Sequence, residues 1–136
     1  MLMGKETPIE KISKNLFATY LEKADEFYKL MKVARDQSLW NGVGLNAVHC
    51  AISSCDALTT FYLGERSRSA KHEDVVILLK RISLEEIREK IRQVTSILAI
   101  KNLVEYEARE FHKDDAQRIS SQTERLYKWI RDKLPE

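Results

Sequence analysis

The chain has 136 residues and a formal net charge of +2, with 32% charged residues, four glycines and two prolines. One domain spanning residues 1–136 is expected at this length, large enough to fold around one core without disulfides. Scarce Gly and Pro favour helix and disfavour a loop-rich or all-β fold, and the near-balanced charge by itself decides little about RNA contact.

Thr7-Pro8-Ile9-Glu10 has the form of a helix start, with Thr7 as cap, Pro8 in the first turn and Glu10 completing a capping box. Ile9, Ile12, Leu16, Tyr20, Phe27, Met31 and Ala34 then recur mostly at helical spacing. They predict an amphipathic helix of about 28 residues, long enough that a break or kink is expected near Asp25. Asn41-Gly42 marks the first turn. A second helix follows from about Val43 to Leu63 and is stopped by Gly64, since glycine takes the left-handed cap conformation without cost. From Gln37 to Gly64 the only charged residue is Asp56, so this segment is expected to be the core helix, with Leu45, Val48, Ile52, Cys55 and Tyr62 on one apolar stripe.

Glu65 to His72 is a polar loop, and Glu73 to Arg81 predicts a short helix. Ser83 and Glu86 have capping-box spacing, and Leu84, Ile87, Ile91, Val94, Ile97, Leu98 and Val104 define a third long helix ending near Ala108. A fourth runs from about Lys113 to Leu134, with Asp114 and Asp115 suited to its positive end. The expected fold is all-α: an antiparallel up-and-down bundle of four long helices plus one short helix.

Asn46, His49, Ser53, Asp56 and Thr60 share one polar stripe of the second helix. Such a stripe either pairs within the fold or forms one wall of a cleft, here His49, Ser53 and Asp56, or a dimer surface. Arg66, Arg68, Lys71 and His72 could receive a phosphate or, as ordinary loop residues, meet Glu65, Glu73 and Asp74. Cys50 and Cys55 fall on different sides of their helix and fit a reducing compartment as small core residues. The three histidines lack metal-ligand spacing, so no metal and no cofactor is expected. No apolar leader and no run of about 18 apolar residues occurs, from which a cytoplasmic protein with no membrane span is expected.

Lys101 to Phe111, KNLVEYEAREF, places Asn102, Tyr106 and Arg109 on one helix face and Lys101, Glu105 and Arg109 on the next. This is an anion-binding arrangement or, more simply, a charge ladder. With the following segment it resembles the HEPN family in Tyr106-Glu107, Arg109, Phe111, Asp114, Asp115-Ala116 and Trp129, and KHEDVVILLKRI is similar to the family's middle. The resemblance implies a helical bundle that often dimerises, and a function as metal-independent ribonuclease, nucleotide binder or partner of a minimal nucleotidyltransferase. The family's nuclease motif is an arginine, a polar residue, a spacer and a histidine. Laid onto this chain, Lys101 takes the arginine position, Asn102 the polar one and Tyr106 the histidine one. Tyrosine, with an ordinary pKa near 10, is a poor base at neutral pH.

The resemblance therefore implies no catalytic residue, and a nucleotide or RNA phosphate held by Lys101, Asn102, Tyr106 and Arg109. The protein would act as a homodimer or beside a nucleotidyltransferase-type partner, in a toxin–antitoxin or defence setting. An interaction module without a small ligand, and a metal-independent ribonuclease with a variant site, are the alternatives.

Overall fold

The computed structural model describes residues 9–68, 71–107 and 111–136. In chain order the elements are strand β1 (Ile9–Lys11), helix α1 (Phe17–Asp36), α2 (Trp40–Leu63), strand β2 (Glu65–Ser67), α3 (His72–Leu79), α4 (Ile87–Ala99), α5 (Lys101–Tyr106) and α6 (Lys113–Asp132). The described residues are mostly helical, with a short 3-10 turn at Lys14–Leu16 and an antiparallel two-stranded ribbon of β1 and β2.

α2 is the core. Its small residues Ala47, Cys50, Ala51, Cys55 and Ala57 are buried, so neighbouring helices can approach its backbone closely. Its main neighbours are α1 and α6, and it also touches α3, α4 and α5. Burial pushes the Cys50 thiol up to about 12 and raises Cys55 further, which leaves both as unreactive core residues. Leu45, expected on the buried stripe, is partly exposed instead. Gly64 ends α2 in the left-handed conformation (φ 65°), and its N–H donates to the Thr60 carbonyl at 3.0 Å, as the glycine signal implied.

The first expected helix is corrected at its start. Thr7 and Pro8 lie outside the described residues, and Ile9 to Lys11 form β1 rather than a first helical turn. The register sets Glu10 opposite Arg66 and Lys11 opposite Glu65, two cross-strand pairs of opposite charge. Glu10 thus serves Arg66 at 2.7 Å instead of capping a helix. α1 then runs unbroken from Phe17 to Asp36, without the expected break near Asp25. Asp25 points its carboxylate across to α6, where it accepts hydrogen bonds from Tyr127 and from Arg131. It therefore does not compete for its own helix backbone.

Asn41-Gly42 lies inside the first turn of α2, and the turn is made earlier, at Ser38, whose φ is 59°. The third long helix is two pieces. The Ile100 N–H bonds to the Ile97 carbonyl at 3.2 Å, a tightened turn that separates α4 from α5. Ala108, where that helix was expected to end, lies outside the described residues. Glu86 is the residue before α4, has φ 69°, and makes no side-chain cap, so the Ser83–Glu86 capping box does not form. At the start of α6, Asp115 does act as a cap, accepting the His112 N–H at 3.0 Å.

Candidate functional site

Lys101 and Asn102 open α5, and Tyr106 closes it. Between them Val104 faces inward. A Cβ built on Gly44 would lie 2.8 Å from Val104 Cγ2 and 3.1 Å from Phe111 Cε2, so α5 and Phe111 rest directly on the α2 backbone. Asn102 and Tyr106 are each two residues from Val104, about 200° round the helix, and so face away from α2. Asn102 is exposed and Tyr106 is 76% exposed. A hydrogen bond from Tyr106 to the Glu105 carboxylate raises the phenol above its ordinary value. The tyrosine is thereby held as a protonated donor at neutral pH, not as a base. Lys101 is half-exposed. Arg109 lies outside the described residues.

Beside α5 is an open cleft of about 600 Å³, lined by Ser38, Leu39, Trp40, Asn41, Gly42, Phe111 and His112. Phe111 belongs both to this cleft and to the contact that seats α5. The cleft is made by the α1–α2 connection, the first turn of α2 and the residues before α6. Nothing in their local pattern reveals that they meet.

The polar stripe of α2 faces its own fold, although the buried Thr60 hydroxyl has no hydrogen-bond partner among the described residues. His49 stacks on Phe27 of α1, ring centroids 5.2 Å apart, and Ser53 is buried. Asp56 is buried, with Arg66 Nη2 3.4 Å from its Oδ2. Burial raises the Asp56 carboxyl to about 6, and the Arg66 charge opposes that rise. Arg66 lies over the Tyr20 ring, 4.8 Å from its centroid, and bridges Asp56 to Glu10. Arg68 is also 3.4 Å from Glu10. Arg66 and Arg68 of this loop meet Glu10 and Asp56, which are not the acids expected for them, while Glu65 pairs with Arg81 at 2.9 Å. The His72 side chain lies outside the described residues.

The HEPN domain profile matches residues 17–133. The chain belongs to the HEPN domain family. This places it in a family generally concerned with nucleotides and RNA, whose domains often dimerise. No curated protein and no solved structure matches this HEPN chain. Among its described residues, no helix is long and apolar enough to cross a membrane, and no group of three or more His, Cys, Asp and Glu could hold a metal ion.

Proposed function

We propose that this HEPN domain binds a nucleotide or RNA phosphate at α5 and does not cleave RNA. Lys101, Asn102 and Arg109 contact the phosphate, and Tyr106 stacks on a base or donates a hydrogen bond. The protein works as a homodimer or with a nucleotidyltransferase-type partner, in a toxin–antitoxin or defence setting. The observation that carries this reading is the exposure of Asn102 and Tyr106 on one outward face of a helix anchored through Val104. An amide donor and an aromatic face presented this way suit a strand or nucleotide arriving from solvent. The phenol raised by Glu105 fits the absence of a base at the position where the family's nucleases carry histidine.

The test is equilibrium binding of ATP and of a short single-stranded RNA, with EDTA present. Lys101→Ala and Asn102→Ala each weaken binding, and the RNA stays intact. Unchanged binding in both variants refutes the site, and EDTA-resistant cleavage refutes the non-catalytic assignment.

A second reading, an interaction module with no small ligand, is favoured by exposed Leu30 and Val33 on α1 and Leu45 on α2. Self-association lost in Leu30→Ser/Val33→Ser, with no nucleotide binding in the parent protein, would select it.

A further inference from the structure

At the junction of α3 and α4 the fold builds a second cleft, of about 450 Å³, that the α5 reading does not use. Its lining is Lys80, Ile87, Arg88, Ile91 and Arg92. Ile87 and Ile91 are one helical turn apart on α4 and half-buried, so they form an apolar floor. Arg88 and Arg92 have the same spacing on the adjacent stripe, and Lys80 comes from the residue that ends α3. All three cations are exposed. Among the described residues none of them has an ion pair, whereas Arg66, Arg81, Arg118, Lys128 and Arg131 are each committed to an acid. Glu85, Glu86 and Glu89, the acids nearest Arg88 in sequence, make no ion pair with these cations among the described residues.

We infer that this cleft is a binding site for a nucleoside phosphate, either free or as the end of an RNA strand. Two guanidinium forks and an ammonium around one opening suit the oxygens of a phosphate, which guanidinium can hold in pairs. The isoleucine floor gives a planar base an apolar surface, and the guanidinium planes can stack on it. The volume lies in the range of small-ligand sites. The site is separate from α5: helical rise alone sets Arg88 and Arg92 on the order of 15 Å before Lys101 along the chain.

The experiment is a titration of the full chain with ATP, adenosine, inorganic triphosphate and a short 5′-phosphorylated RNA. Arg88→Ala/Arg92→Ala is compared with Lys29→Ala/Arg125→Ala, which removes the same charge from other exposed positions, and with Asn102→Ala. All the altered side chains are exposed, and unchanged melting temperatures verify the fold. The expected result is binding of ATP weakened at least about tenfold in Arg88→Ala/Arg92→Ala, a loss on the scale of two charge-assisted contacts. The Lys29/Arg125 pair leaves it within about twofold. Adenosine binds weakly for want of phosphate, and triphosphate weakly for want of a base. Equal weakening by the two double variants reduces the effect to general charge and overturns the site, as does unchanged binding in Arg88→Ala/Arg92→Ala. Triphosphate binding as tightly as ATP overturns the role of the isoleucine floor. Tighter binding of ATP than of the RNA supports free nucleotide as the source, and the reverse supports RNA ends. Loss through Asn102 alone supports the α5 site and overturns this one.

Discussion

Gly44 and Val104 touch so closely that position 44 has no room for a side chain: its Cβ would meet Val104 Cγ2 at 2.8 Å. This contact fixes α5 on α2 and turns Asn102 and Tyr106 to the outside. Gly→Ala inside a helix normally stabilises by up to about 1 kcal/mol. Here the clash with a stiff β-branched side chain and with Phe111 outweighs that gain, and Gly44→Ala costs about 1–3 kcal/mol. Denaturant unfolding measures the loss, and Gly44→Ala/Val104→Ala recovers part of it. If the single substitution stabilises the protein, α5 does not rest on Gly44.

Asp56 makes stability depend on pH in a known direction. Its carboxyl is raised to about 6 in the fold by burial, against an ordinary 3.8. The folded state therefore favours the protonated form, whose contribution is full below the unfolded pKa and is lost as pH rises through about 6. The shift corresponds to about 3 kcal/mol between acid and neutral pH. Asp56→Asn removes this dependence, so its stability relative to wild type improves from about pH 4 to about pH 7. A difference that is flat across that range would place Asp56 outside this linkage.

α1 and α6 are joined by a small polar cluster on Asp25. Tyr127 and Arg131 both donate to its Oδ1, and Tyr127 stacks on Tyr28 with ring centroids 4.2 Å apart. Tyr127→Phe keeps the stack and loses the hydrogen bond, at a cost of about 1 kcal/mol. Asp25→Ala leaves both donors without their acceptor and costs more. Chemical denaturation of the two variants should keep that order.

The sequence is legible where local chemistry decides the outcome. The nearly uncharged run from Gln37 to Gly64 is the buried helix, and Gly64 caps it. The start of α6 follows from Asp115. It misleads where a distant partner decides. Glu10 has capping-box spacing from Thr7, yet it pairs with Arg66, which is far away along the chain. The turn at Ile100 carries no glycine or proline, so the apolar period runs through it unchanged. Asn102 and Tyr106 were readable as one face because that face is local to a single helix. The cleft made by Ser38 to Gly42 and Phe111 was not, because it depends on tertiary packing.

Tyr106 also offers a gain-of-function prediction. If α5 is a nuclease site without its base, Lys101→Arg/Tyr106→His supplies the missing pair of groups. An imidazole there titrates near neutral pH and can move a proton, as tyrosine held above its ordinary value cannot. The double variant should degrade RNA in EDTA, measurably above the parent protein, and with a rate that depends on pH around the histidine range.

The most direct test of the phosphate-binding role is a titration of ATP and short RNA against wild type and Asn102→Ala at fixed ionic strength. Asn102 is exposed and uncharged, so its loss changes neither the core nor the net charge. The proposed site predicts binding to wild type and a weakening of about fivefold or more in the variant, the scale of one lost hydrogen bond to a charged group. Identical isotherms for the two proteins, or no binding by either, would contradict a phosphate site on α5.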